Sequence, residues 1–72
     1  MGKSQQKSIK AVIKSVNGVV IVLDSMGEQI PEYQGRYEVV KGRILKDAPL
    51  NAVFGRFPDE ETELEVVRRE DW

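Results

Sequence analysis

The sequence predicts a small, β-rich α+β domain with five strands and one helix between strands 3 and 4. Three observations support this class. Two strand-forming runs flank Asn17-Gly18, a later segment has the apolar spacing of an amphipathic helix, and two further β-rich runs follow Pro49. We assign residues 8–72 to this single small domain, and residues 1–7, which are polar and lack apolar periodicity, to a flexible N-terminal arm.

The first two strands form a β-hairpin over residues 9–24. Asn17-Gly18 tolerates the positive φ of a two-residue type I′ turn, which would pair Val16 with Val19. Because side chains alternate, one face would hold Ile9, Ala11, Ile13, Val20 and Val22. The other face would hold Val12, Val16, Val19, Ile21 and Leu23, interrupted by Lys10 and Lys14. Both faces are largely apolar, so both are expected to need cover.

A second tight turn and a short third strand follow the hairpin. Residues 24–28 place aspartate at the first position of a type I turn and glycine at the left-handed position of the bulge that ends it. Gln29 and Ile30 then form the third strand. Pro31 ends that strand or confines it to a sheet edge, because proline has no N–H group to donate to a neighbouring strand.

An amphipathic helix is predicted within residues 32–48. Its apolar residues recur at spacings of four, three, four and four, which places them on one face: Tyr33, Tyr37, Val40, Ile44 and Ala48. Gly35 and Gly42 weaken the helix, so its first turn is expected to begin after Gly35. The helix is expected to end at Ala48, because the residue before Pro49 is pushed out of the α region.

The fourth strand is predicted over residues 51–57. Phe54 and Phe57 are three positions apart, so a regular strand would send them to opposite faces. A bulge at Gly55 is expected to turn both rings inward. Residues 58–61 form the connection to the last strand.

The fifth strand is predicted over residues 63–69, with Leu64 and Val66 on the core side. Trp72 is expected to fold back over an apolar seam, with docking to a partner as the alternative role. The order of elements is that of the small OB-type barrel, in which a helix lies between strands 3 and 4. The same elements also build an open ββ(β)αββ sheet with the helix across one face, and the sequence leaves this choice open.

Composition limits the functional classes. A chain of 72 residues buries only about 60% of its unfolded surface. It has no cysteine and no histidine, so disulfides and Cys/His metal sites do not stabilise it, and packing or oligomerisation has to do so. No apolar run is long enough for a membrane span or a secretory signal. We therefore expect a cytoplasmic protein without membrane contact.

Catalysis is not expected. The usual general base near neutral pH and the most reactive nucleophile are both missing without histidine and cysteine. An acidic cluster is the remaining candidate for acid–base or metal chemistry: Asp59, Glu60, Glu61, Glu63 and Glu65. It lacks the glycine and the spacing of a calcium loop, and we interpret it as a solvated face. We predict no enzyme activity, no metal and no cofactor.

The preferred functional hypothesis is a small protein-interaction or assembly module whose partner is another protein or a second copy of the chain. The hairpin with two apolar faces and the thin core motivate it. A homodimer is one form that this association would take. The candidate interface residues are those of one hairpin face: Val12, Val16, Val19, Ile21 and Leu23.

The alternative hypothesis is a single-stranded nucleic-acid-binding OB-like domain. Its candidate contacts are the basic residues of strand 1, the helix and strand 4, with one aromatic ring: Lys10, Lys14, Arg36, Arg43, Arg56 and Phe57. The net charge is +4 over residues 1–46 (eight basic, four acidic) and −5 over residues 47–72 (three basic, eight acidic). Because the whole chain is slightly acidic and phosphate neutralisation dominates affinity, nucleic acid is the less favoured partner.

Overall fold

A computed structural model of the protein describes residues 8–72. Within them the chain forms an α+β domain with a five-stranded mixed sheet and one α-helix. The elements are β1 (Ala11–Lys14), β2 (Val19–Leu23), β3 (Gly35–Arg36), α1 (Tyr37–Asp47), β4 (Val53–Arg56) and β5 (Glu65–Val67), with 3-10 turns at Pro31–Tyr33 and Arg69–Asp71. The predicted N-terminal arm lies outside the described residues.

The sheet is open, with strand order β3-β2-β1-β4-β5. β1 and β4 run parallel at its centre, whereas the other neighbouring pairs are antiparallel. The open-sheet alternative therefore describes the molecule, and the term barrel applies only loosely. No helix of the described residues is both long and apolar enough to cross a membrane.

The register of the hairpin differs from the prediction by one residue. Lys14 pairs with Val20, and the Ser15 N–H donates to the Val19 carbonyl at 2.9 Å. The loop therefore has three residues instead of two, and Gly18 takes the left-handed position with φ +86°. This is a type I turn followed by a bulge, so the predicted I′ turn and the predicted pairing of Val16 with Val19 are wrong.

The second turn has the same construction and was predicted correctly. Gly27 has φ +82°, and the Asp24 N–H donates to the Glu28 carbonyl at 2.8 Å across the turn. Asp24 is buried, and its carboxylate accepts hydrogen bonds from the backbone N–H groups of Met26 and Glu28 at 2.8 and 3.0 Å. These bonds satisfy a polar group that would otherwise be costly to bury.

The third strand lies later in the chain than predicted. Gln29 makes only an isolated bridge with Leu23, and the edge strand proper is β3. Between them the chain leaves the sheet in the 3-10 turn that begins at Pro31. The Gln34 side-chain carbonyl fills this gap by accepting the Val22 N–H at 3.1 Å, which replaces the missing strand as a hydrogen-bond partner.

The helix and the core follow the predicted apolar stripe. α1 begins after Gly35, as expected, and Ala48 forms its C-cap. Val40 and Ile44 bury its inner face against one side of the sheet. The buried hydrophobic residues form one cluster: Ile9, Val12, Val20, Val22, Ile30, Val40, Ile44, Ala48, Phe54 and Trp72. Tyr33 and Tyr37 pack at the edge of this cluster.

In the last two strands, the side chains that face the core differ from those predicted. Gly55 pairs regularly with its neighbours on both sides, so there is no bulge, and Phe57 lies outside the core cluster. In β5 it is Val67 that packs against the core. Leu64 and Val66, which were predicted on the core side, are 43% and 67% exposed.

Trp72 folds back into the core, as predicted. It lies edge-to-face against Tyr37 and Phe54, with ring centroids 5.1 Å apart in both pairs. Its Nε1 donates to the Gly55 carbonyl at 2.9 Å. The indole thereby ties the last 3-10 turn to both the sheet and the helix.

Candidate functional site

The side of the sheet opposite α1 carries an apolar surface, which we call the open face. Strand alternation and the observed register define it as Ala11, Ile13, Val19, Ile21, Leu23, Val53, Leu64 and Val66. Every one of these side chains is half-buried or exposed. By contrast, the side chains that alternate with them on the other face, such as Val12, Val20 and Val22, are fully buried under the helix.

Gly55 lies on the open face beside Val66 and Leu64. A Cβ atom added there would lie 3.0 Å from Leu64 Cδ1, which is tighter than nine in ten real Cβ contacts. Leu64 therefore packs directly on the β4 backbone. Among the described strand residues of this face, Arg36 on the edge strand β3 is the only charged one. The face is thus apolar from β2 to β5.

The structure divides the predicted interface residues. Three of them lie on the open face: Val19, Ile21 and Leu23. The residues of β1, β4 and β5 that share this face were not among the predicted interface residues. Val12 faces the opposite way and is fully buried, so it contributes to the core and not to a surface. Val16 lies in the hairpin loop and is 47% exposed. The one-residue change of register causes this division, because it reverses the facing of one strand relative to the other.

A second feature is a shallow groove at the edge of the sheet where β1 and β4 end. The connection that leaves β1 turns towards β2, and the connection that leaves β4 turns towards β5. Because these connections diverge, they leave a cleft at the carboxyl ends of the two parallel strands, the place where open sheets commonly bind ligands. The groove has a volume of about 370 Å³ and is lined by Lys14, Ser15, Val16, Gly18, Tyr37, Glu38, Arg56, Phe57 and Pro58.

Cationic and aromatic side chains meet in this groove. Lys14 Nζ lies 4.1 Å from the centroid of the Tyr37 ring, and Lys41 Nζ lies 5.2 Å from the same centroid. Arg56 Nε donates to Glu65 Oε1 at 2.9 Å, and its Nη1 donates to the Asp71 carbonyl at 3.3 Å. These contacts fix the positions of the charges at the mouth of the groove.

Backbone bonds hold the walls of the groove together. The Phe57 N–H donates to the Lys14 carbonyl at 3.0 Å, which extends the parallel ladder by one residue beyond β4. The Tyr37 N–H donates to the Gly18 carbonyl at 2.8 Å and joins the start of α1 to the hairpin loop. The Tyr37 hydroxyl donates to the Trp72 carbonyl at 2.9 Å. These hydrogen bonds join β1, the hairpin loop, the end of β4 and α1 around the groove.

Glu38 is the acidic residue in the groove lining. Its own backbone N–H donates to its carboxylate and is the main cause of a lowered pKa, with the Arg36 guanidinium as the second cause. The carboxylate lies 3.2 Å from Arg36 Nε. Among the described residues, no carboxylate lies within salt-bridge distance of Lys14 or Lys41. The groove lining therefore holds two cations, Lys14 and Arg56, and one carboxylate, Glu38.

Three of the predicted nucleic-acid contacts come together in the groove: Lys14, Arg56 and Phe57. Arg36 lies beside it through its ion pair with Glu38. The remaining two do not join them. Lys10 is at the opposite end of β1, and Arg43 donates to the Glu32 carbonyl at 3.0 Å, away from the groove. Tyr37 was not among the predicted contacts, because its position on the apolar helical stripe favoured a core role over a ligand-stacking role.

The acidic cluster lies in the connection between β4 and β5 and at the start of β5. Within residues 8–72 no group of three or more acidic side chains has the arrangement of a metal centre. Asp59 instead accepts a hydrogen bond from the Thr62 hydroxyl at 2.6 Å, which is the main cause of its lowered pKa, and another from the Glu61 N–H. The Asp59 carboxylate thus finds its hydrogen-bond partners within its own turn.

Comparison with known proteins gives no relative. No protein-family model, no curated protein and no solved structure matches this chain. Functional assignment therefore rests on the geometry of the open face and of the groove.

Proposed function

We propose that the protein is a small, non-enzymatic assembly module of the cytoplasm that forms a homodimer through the open face of its sheet. The observation that carries this proposal is an apolar sheet face whose side chains are all half-buried or exposed, opposite a face that the helix already covers. A two-layer domain normally buries the apolar face of its sheet and leaves the other face polar. Here both faces are apolar.

A second copy of the chain is the occupant that suits this face. Two open faces can stack about 10 Å apart around a two-fold axis, so that each apolar patch meets its own copy. The charges do not oppose this arrangement, because Arg36 lies at the β3 edge and pairs with Glu38. Apart from Arg36, the described strands of the face offer no charged side chain to a strongly charged partner.

The available area agrees with a small dimer. Four strands spaced about 4.8 Å apart and about 15 Å long span roughly 300 Å² in projection. Because accessible surface follows the contours of the side chains, pairing two such faces would remove on the order of 1,000 Å² from water, the lower bound for a specific interface. At about 25 cal/mol per Å² of apolar area, this burial would also offset part of the thin margin of a short chain.

The oligomeric mass tests the proposal. Val66 and Val53, on the open face, are 67% and 44% exposed, so lysine at either position leaves the monomer fold intact. Val39 is 70% exposed on α1 and is a control for each single substitution, because Val39→Lys adds one lysine on the other side of the molecule.

In sedimentation equilibrium we expect the wild type and Val39→Lys to reach twice the chain mass of 8.2 kDa. The double variant with Val53→Lys and Val66→Lys should stay at the chain mass. The melting temperature should rise with protein concentration for the wild type and for Val39→Lys, but not for the double variant. A wild type that is monomeric at high micromolar concentration, or a double variant that still dimerises, would overturn the proposed interface. A monomer that instead binds a different protein through this face would also count against self-association.

A further inference from the structure

We propose that the groove at the carboxyl ends of β1 and β4 binds a nucleotide unit, either free or within a single-stranded nucleic acid. The phosphate would contact Lys14 and Arg56, and the base would lie against the Phe57 ring. This site lies at the edge of the sheet where β1 and β4 end, and its proposed ligand contacts do not require a dimer.

The charges favour a phosphate in this position. Lys14 and Arg56 are partners in the parallel register, so they end adjacent strands at the same level. The Lys14 ammonium is held over the Tyr37 ring at 4.1 Å and has no carboxylate within salt-bridge distance among the described residues. The Arg56 guanidinium uses two of its five N–H donors for Glu65 and Asp71. An anion placed between the two cations would gain charge-assisted hydrogen bonds.

The aromatic ring favours a base beside that phosphate. Phe57 is half-buried and lies outside the hydrophobic core, although phenylalanine is usually enclosed in it. Its backbone is fixed next to Lys14 by the 3.0 Å hydrogen bond. A partly exposed ring beside two cations is the pairing that binds single-stranded nucleic acid, in which bases stack on aromatic rings and phosphates meet lysine and arginine. The volume of about 370 Å³ lies within the range of small-ligand sites.

The experiment is an amide NMR titration of the full chain with four probes: inorganic phosphate, thymidine, thymidine monophosphate and a short oligothymidylate. Shifts are expected at Ser15, Gly18 and Phe57 for both nucleotide probes, weakening as salt is added. If a free nucleotide is the ligand, the monophosphate should bind as tightly as the oligonucleotide. If a single strand is the ligand, the oligonucleotide should bind more tightly and with the steeper salt dependence.

Matched variants separate the groove from general electrostatics. Lys14→Gln should weaken binding of the monophosphate about tenfold, as expected for a lost hydrogen bond to a charged group. Lys10→Gln removes the same charge about 13 Å away along the same strand and should change affinity less than twofold. Phe57→Leu should weaken nucleotide binding about fivefold or more and leave phosphate binding unchanged.

Three results would overturn the site. These are equal effects of Lys14→Gln and Lys10→Gln, shifts that lie outside the groove, and the absence of shifts at low salt. Equal affinity for inorganic phosphate and for the monophosphate would overturn the assignment of a nucleotide. The double lysine variant of the open face should bind the nucleotide probes at least as well as the wild type, so failure of the dimer and failure of this site give different results.

Discussion

Trp72→Ala should remove most of the stability of the chain, because the indole joins three separate parts of the fold. Its side chain is only 5% exposed, contacts Tyr37 and Phe54, and donates a hydrogen bond to the Gly55 carbonyl. A buried aromatic side chain removes about 150–250 Å² from water, which corresponds to about 4–6 kcal/mol at 25 cal/mol per Å². Truncation of such residues to alanine costs about 3–5 kcal/mol in practice.

A domain of this length has a total free energy of unfolding of about 4–11 kcal/mol, so the loss takes much or all of it. Urea unfolding followed by far-UV circular dichroism measures the loss at one fixed protein concentration, since dimerisation also affects stability. With a slope of about 1 kcal/mol per M, the midpoint should fall by roughly 3–5 M, or the variant should be unfolded without urea.

Two companion variants separate packing from hydrogen bonding. Trp72→Phe keeps a ring but removes the donor to the Gly55 carbonyl, and it should lose about 1–3 kcal/mol from that carbonyl in addition to the smaller ring. Leu50→Ala changes a side chain that is 96% exposed and should stay within about 0.5 kcal/mol of the wild type. If Trp72→Ala unfolded at the same urea concentration as Leu50→Ala, the indole would not hold the fold together.

Two further predictions follow from single residues. Gly18→Ala should lower the free energy of unfolding by about 1–2 kcal/mol because φ is +86° there, although a Cβ would meet no atom within 4 Å. Gly42→Ala, in equally open space inside α1, should raise the free energy of unfolding by about 1 kcal/mol. Thermal melts of the two variants check this, and a shared sign would contradict it. The Tyr33 hydroxyl donates to the Asp47 carboxylate at 2.7 Å, which raises the tyrosine pKa above its ordinary 10.0, so this bond stabilises the fold below pH 10.0 and is lost as pH rises through the higher value. Urea midpoints measured on both sides of pH 10.0 should fall less in Tyr33→Phe than in the wild type.

The hairpin shows how a correct element can carry a wrong register. Asn17-Gly18 indicated a turn, and a turn is there, but the loop closes one residue earlier, at Ser15. The sequence held a signal for this. Ser15 has a hydroxyl at the first turn position, as Asp24 has a carboxylate in the second loop, and each is followed three residues later by a glycine with positive φ. The Ser15 hydroxyl contacts the Asn17 side chain and the Val19 carbonyl, which favours the longer loop.

Local sequence patterns could not predict which distant strands pair with each other. The helix was predictable because five apolar residues share one period, and the turns were predictable from glycine and aspartate. Nothing in β1 or β4 alone indicates that they run side by side and parallel, yet this pairing is what brings Lys14 next to Arg56. The predicted core side of strand 5 was wrong for a related reason. Val66 and Val67 are adjacent and both apolar, so alternation did not determine which of them faces the core.

A slip of one residue normally exchanges the inside and the outside of a strand, and the prediction of a two-faced hairpin should then have failed. It did not fail, because β2 is apolar at every position from Val19 to Leu23 and so presents valine, isoleucine or leucine to both sides in either register. Continuous apolar strands are typical of sheets covered on both faces. α1 is the only helix in the described residues and covers one face. For the other face we propose a second copy of the same sheet as the covering layer.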